Sequence, residues 1–347
     1  MQMKQLGNTG IQISKIGLGT MTWGEQNTKE DAFEQMDYAL ERGVNLFDTA
    51  EMYSVPPKEA TCGQTELHIG EWLTKTGNRD KIILASKVAG PGVKWIRGAK
   101  GFTKNELEET INSSLKRLQT DYIDLYQLHW PQRQVPMWGK ANYHEAMHTE
   151  GAKEQMLEYY FELDKFIQNG KIRHIGVSNE TPWGVMTYQA LAQEHNLPPM
   201  ASIQNAYSII RREYEGGLAE ISMYEKISLL AYSPLAGGLL SGKYQNGFYP
   251  ANARFSLFPS TMGYYNNDKT AQAVKKYQAI ADEAGISLTT LSLAFVNDRK
   301  FVASNLIGAT SIKQLEENIA SADVSLSKET LKQIEDVYKE LPNTGAF

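Results

Sequence analysis

Asp48, Tyr53, Lys87 and His129 lie in three segments, NLFDTAEMY (45–53), ILASKV (83–88) and DLYQLHW (124–130). Each segment begins as a short apolar, β-branched run and ends in a reactive side chain. A phenol ionises at about pH 10 when free, which makes it a poor acid at neutral pH. A neighbouring ammonium stabilises the phenolate and lowers that value. Lys87 is placed to supply the charge, Asp48 to pair with Lys87 and hold it, and His129 to orient a carbonyl oxygen or assist the proton. Together the four can protonate a carbonyl oxygen while hydride reaches its carbon.

Each residue alone has a plainer reading. Asp48 could cap a turn, Lys87 could be a snorkelling surface lysine, and Tyr53 and His129 could be satisfied core residues. Their shared position at strand ends, or just beyond, tips the balance towards chemistry. A Schiff base on Lys87 is the rival chemistry. It needs a neutral amine, whereas pairing with Asp48 keeps Lys87 charged.

The elements that must carry these residues follow from periodicity. Short apolar runs bounded by turn signals read as buried parallel strands. Two short alternating runs around Asn8-Thr9-Gly10 predict an N-terminal β-hairpin. Strands are then expected at 16–21, 45–50, 82–88, 122–129, 172–177, 201–205, 228–232 and 303–308. Helices are expected at 29–42, 64–76, 103–118, 153–169, 182–194, 214–225, 268–284, 288–297, 311–321 and 327–340. Thr103 followed by Glu106 has the spacing of a capping box. Strand–helix alternation implies a parallel sheet with right-handed crossovers, and eight units favour a closed (β/α)8 TIM barrel spanning residues 1–347 as one domain. In such a barrel, polar residues at strand C-termini converge on one mouth. A Rossmann fold is the competing architecture, but the G-x-G-x-x-G pattern beginning at Gly17 and Gly19 meets Thr22 where its third glycine should be.

Two loops are unusually long, one after strand 4 (130–152) and one after strand 7 (236–267). Both overhang the expected mouth and are rich in aromatics and Met, as a wall for an apolar ligand would be. Trp23, Tyr53, Trp95, Trp130, Trp138 and Tyr143 are the candidate aromatic lining.

The 347-residue chain is 41% hydrophobic and 22% charged, with a formal net charge of −5. A chain of this length buries roughly 75% of its unfolded surface and needs no staple. The acidic balance argues against a nucleic-acid partner. A single cysteine, Cys62, excludes an internal disulfide framework and suits the reducing cytoplasm. The start has no apolar signal core, and no stretch of about 18 apolar residues is present to span a membrane.

In family order, GLGTMTWG, NLFDTAEMYS, LASK, LKRLQTDYIDLYQLHWP, GKIRHIGVSNE, IQNAYS, AYSPLAGGLLSGKY and GATSIKQLEENI resemble the signatures of the aldo-keto reductase family. The resemblance covers nearly the whole chain. It is closest to the branch of bacterial reductases and potassium-channel β-subunits. It implies a (β/α)8 barrel that reduces aldehydes and ketones with a nicotinamide cofactor, with Asp48, Tyr53, Lys87 and His129 as the tetrad and Tyr53 as proton donor.

The resemblance further implies a cofactor site. Thr20 and Met21 would lie near the nicotinamide. Ser178, Asn179 and Gln204 would bind the carboxamide, and Tyr232 would stack on the ring. Ser233, Leu235, Ala236 and Gly238 would follow the pyrophosphate, with Lys243 and Arg254 on phosphates. Gly308, Thr310, Gln314, Glu317 and Asn318 would hold the adenosine end. The start of the helix near 311 offers backbone N–H groups to an anion, and Lys and Arg suit phosphate oxygens. Where another branch has a Lys and an Arg for the 2′-phosphate, this chain has Gly308 and Gln314. Lys243 and Arg254 therefore carry the expectation of NADPH. A small carbonyl compound is the expected substrate. The alternative is a cofactor-sensing interaction module with little turnover, which the complete tetrad disfavours. The short tail, PNTGAF, is expected to add little to substrate selection.

Overall fold

The computed structural model describes residues 1–140 and 142–346. An antiparallel hairpin, β1 (Met3–Gln5) and β2 (Gln12–Ser14), precedes the barrel. The barrel strands are β3 (Ile16–Gly19), β4 (Leu46–Asp48), β5 (Ile83–Val88), β6 (Ile123–Leu128), β7 (Ile172–Ser178), β8 (Ser202–Ala206), β9 (Ser228–Tyr232) and β10 (Val302–Ile307). They pair in parallel and close in the order β10-β3-β4-β5-β6-β7-β8-β9. The expected (β/α)8 barrel with an N-terminal hairpin is the observed architecture.

The helices are α1 (Lys29–Glu41), α2 (Gln64–Thr76), α3 (Lys104–Leu118), α4 (Ala152–Gln168), α5 (Pro182–His195), α6 (Leu218–Glu225), α7 (Arg254–Leu257), α8 (Asp268–Glu283), α9 (Leu288–Asn297), α10 (Ile312–Ala320) and α11 (Lys328–Glu340). The capping box at the start of α3 forms as its spacing suggests, with Thr103 and Glu106 each bonding the other's backbone. α6 begins four residues later than its apolar pattern implies. The Gly216-Gly217 pair raises the entropic cost of helix there, and a short 3-10 turn (213–216) takes its place. The long loop after β9 is not structureless, because α7 and several 3-10 turns pack within it.

Strand alternation decides which residues enter the barrel. Leu46, Ala85, Leu125, Leu230 and Leu306 form an inner layer with Leu6 and Ile13 of the hairpin. The hairpin thus plugs the N-terminal end. Two residues further along the same faces come Asp48, Lys87 and Gln127, all buried. The outward set, including Phe47, Leu84, Tyr126 and Leu128, packs beneath the helices. Gly17 lets β10 approach β3, since a Cβ there would sit 2.6 Å from Leu306 Cδ2. That is a packing reason for a glycine in the broken dinucleotide pattern.

Candidate active site

Barrel closure brings Asp48, Lys87 and Tyr53 into direct contact. The Lys87 ammonium is fully buried and donates to Asp48 Oδ2 at 2.6 Å, to the Thr49 carbonyl at 2.7 Å and towards the Tyr53 hydroxyl at 3.4 Å. It also lies 4.9 Å from the centroid of the Tyr53 ring. The imidazole of His129 meets that ring edge-on, with centroids 5.6 Å apart. Its Nδ1 is buried without a hydrogen-bond partner.

The second oxygen of Asp48 is held by two amides. Gln204 Nε2 donates to Asp48 Oδ1 at 2.8 Å and Gln127 Nε2 at 3.3 Å. Gln127 was not singled out from the sequence, although one polar residue in the otherwise apolar run LYQL was a usable signal. Glu51 was also missed. It accepts from Arg97 through both carboxylate oxygens, at 2.6 and 3.0 Å, and from the Ala89 amide. This ties the segment carrying Tyr53 to the loop after β5.

Burial drives the electrostatics. Desolvation alone would lower the Lys87 pKa, but the Asp48 carboxylate and the Tyr53 hydroxyl more than offset it, so the ammonium is held above its ordinary value. Burial raises the Tyr53 phenol by more than Lys87 lowers it. The expected net lowering of Tyr53 does not occur in the free protein, because desolvation outweighs the Lys87 charge and the Asp48 carboxylate adds to the rise. Burial, with Lys87 nearby, pushes His129 well below its ordinary value. At neutral pH the site therefore holds a protonated phenol, a charged lysine and a neutral imidazole. The charged lysine also removes the free amine that a Schiff base requires.

The remaining candidates occupy the mouth and its margins. Thr20 is buried and donates to the Asp48 carbonyl at 3.0 Å. Met21 packs against the apolar cluster that includes Tyr53 and Trp130. Ser178 donates to the Gln204 carbonyl, and Asn179 donates through its amide to the His129 carbonyl at 2.9 Å. Tyr232 donates to Asn179 Oδ1 at 2.6 Å. Ser233, Ala236, Gly237 and Gly238 all have positive φ, and within this turn the Ala236 and Gly238 N–H groups already donate to the Ser233 and Leu235 carbonyls. Leu235, within that turn, packs against the core.

Lys243 and Arg254 flank the same turn. The Lys243 Nζ lies 3.1 Å from where a Gly238 Cβ would sit, and Arg254 Cδ lies 3.7 Å from that position on Gly237. Burial lowers the pKa of both, and for Lys243 the Arg254 charge adds to the effect. Neither makes an ion pair with a described acid. Two half-desolvated cations beside a glycine turn fit a dinucleotide phosphate.

The α10 residues form a local set. Thr310 N and Oγ1 donate to Gln314 Oε1, Asn318 donates to the Gly308 carbonyl at 3.3 Å, and Glu317 accepts from Ser287 at 2.5 Å. The backbone donor at Thr310 is thus already taken by Gln314.

Not every aromatic faces the site. Trp23 is fully buried in the hydrophobic core and donates to Gln35 at 3.1 Å, so it is no pocket residue. Trp130 is buried against His129 and Trp138. Trp95, Trp138 and Tyr143 are exposed. The C-terminal tail is closer to the mouth than its length suggests. Gly345 donates to the Ile210 carbonyl, and a Cβ on it would strike the Tyr265 ring.

The aldo/keto reductase family model matches residues 15–339. The chain belongs to this family. It is 47% identical over 342 residues to Protein tas of Escherichia coli (strain K12), covering 98% of each chain. It is 39% identical to an aldo-keto reductase of Babesia bovis over 71% of this chain and 91% of that one. It is 30% identical to the uncharacterized oxidoreductase YrpG of Bacillus subtilis (strain 168), over 97% and 96% of the two chains. Membership of the aldo/keto reductase family makes the chain an oxidoreductase and gives the buried Lys87 contacts a chemical setting. Among the described residues, no group of metal-ligating side chains is present and no single helix is long and apolar enough to cross a membrane.

Proposed function

We propose that this chain is an NADPH-dependent reductase of small aldehydes and ketones, acting as one domain in the reducing cytoplasm. The observation that carries the reading is the buried Lys87 ammonium between Asp48 Oδ2 and the Tyr53 hydroxyl. When bound, the nicotinamide cofactor supplies the hydride that reduces the carbonyl carbon. Tyr53 delivers the proton to the carbonyl oxygen from a phenol that stays protonated at neutral pH. As the phenolate forms, Lys87 stabilises it, and Asp48 keeps Lys87 in place. Neutral His129 presents a ring nitrogen to the oxygen without competing as a charge. Each cycle turns one carbonyl into one alcohol, and Tyr53 regains its proton from water.

Ser178, Asn179 and Gln204 suit the carboxamide, and Tyr232 a ring face. Asn179 must exchange its bonds to His129 and Tyr232 to take part. Lys243 and Arg254 suit the phosphates, including the 2′-phosphate. Gly308, Thr310, Gln314, Glu317 and Asn318 suit the adenosine end.

Tyr53→Phe tests the reading. The ring and its packing remain, so NADPH affinity, followed by fluorescence, is expected to survive. Turnover of a simple aromatic aldehyde is expected to fall at least about a hundredfold, the scale of general acid catalysis. Undiminished turnover with intact NADPH binding removes Tyr53 from the role.

A further inference from the structure

We propose that this reductase prefers carbonyl substrates bearing a carboxylate, and that Arg211 receives it; the inference rests on the reductase reading and narrows its substrate class. Arg211 stands in the loop after β8, five residues past Ala206. Its side chain is only 10% exposed. Nε donates to Glu213 Oε2 at 3.1 Å, whereas Nη1 is buried with no acceptor. Tyr264 and Tyr265 lie against the guanidinium, 5.5 and 5.9 Å from their centroids. A buried, charged donor left unmade is costly, so an unfilled Arg edge points to a missing acceptor.

That acceptor has somewhere to sit. Arg211 lines a cleft of about 340 Å³ with Trp138, Asn179 and Tyr232. The last two also belong to the wall of the active site, since Tyr232 bonds Asn179 and Asn179 bonds the His129 backbone. The cleft therefore borders the side chains proposed to hold the nicotinamide, next to the place where a carbonyl would be reduced.

The charges in the cleft favour an anion. Its two carboxylates are already engaged, Glu180 by both terminal nitrogens of Arg133 and Glu213 by Arg211 Nε. Lys140, on the exposed rim, pairs with no described acid. Glu213 engages Nε alone, and Nη1 is left as a charged donor for a carboxylate oxygen. Trp138 flanks the cleft with a flat surface for the body of such a substrate.

The test uses the full chain loaded with NADPH and three probes: benzoate for binding, and 4-carboxybenzaldehyde with its methyl ester for turnover. The wild-type protein is expected to bind benzoate by calorimetry and to favour the acid over the ester in kcat/KM. In Arg211→Met, both benzoate affinity and the acid-to-ester ratio are expected to fall about tenfold or more, the scale of a charge-assisted hydrogen bond. Equal benzoate affinity in the two proteins, or an unchanged ratio, overturns the proposal. No benzoate binding to the wild type overturns it too. Arg211-dependent benzoate binding without reduction of either aldehyde upholds the carboxylate site and sinks the reductase reading instead. Should Arg211→Met fail to fold, Arg211→Lys keeps a cation but loses the fork, and wild-type benzoate affinity in that variant overturns the proposal.

Discussion

At the scale of single residues, the site is governed by how few partners each buried charge has. Lys87 is fully buried yet saturated, with three oxygens within 3.4 Å of its nitrogen. Asp48 is likewise filled, by Lys87 on one oxygen and two glutamine amides on the other. Lys243 and Arg254 are the opposite case, two cations that disfavour each other and lack a described acid. Losing a charge-assisted contact typically costs about 1.5–3 kcal/mol. Lys243→Ala and Arg254→Ala are therefore expected to weaken NADPH binding by about tenfold or more, and NADH binding much less. Parallel titrations of both cofactors check this. Equal losses would mean that neither residue reads the 2′-phosphate.

At the scale of elements, strand alternation and a few ion pairs at strand ends aim the site. The long loop after β6 is pinned to the end of β7 by Arg133. Its two terminal nitrogens meet both oxygens of Glu180, and a third contact reaches Thr181, the N-cap of α5. Glu180 is braced further by Asn205, which bonds its backbone N–H and carbonyl. The Glu180 side chain is only 2% exposed, so removing its partner strands a buried charge. Arg133→Met is expected to destabilise the fold by about 3–5 kcal/mol, the usual cost of breaking such a pair. Adding Glu180→Gln should recover part of that loss. Urea unfolding of the single and double variants measures both. A loss under about 0.5 kcal/mol for Arg133→Met, the size of ordinary surface changes, would show that the pair does not anchor the loop.

For the whole molecule, pH couples to stability through two buried histidines and one half-buried one. Burial lowers the pKa of His68, His129 and His174 below the ordinary 6.5, and for His129 well below it. Below about pH 6.5 the unfolded chain binds protons at these positions that the folded chain does not. The stability they allow is thus present above pH 6.5 and is lost as pH falls through that value. A single such histidine costs at most about 1.4 kcal/mol per pH unit. The urea midpoint is expected to stay level above about pH 7 and to drop between pH 7 and 5. His129→Asn should flatten the drop. An equal slope in that variant would show that His129 is not held neutral by the fold.

What the sequence determined by itself was everything written locally. Apolar runs of strand length, capping residues and turn glycines set the eight strand–helix units. The period of two then put Asp48, Lys87 and His129 on the faces or ends that point to the mouth. Tertiary structure decided what depends on neighbours far along the chain. Gln204 reaches Asp48 across 156 positions and Gln127 across 79, and only the order and register of the closed barrel bring them together. The same closure buries Tyr53 deeply enough for desolvation to outweigh its lysine, hides Trp23 in the core, and leaves Arg211 Nη1 buried without an acceptor beside a cleft. Burial and pairing are properties of the assembled barrel. A residue's type states what it can bond, and the fold alone states whether the partner arrives.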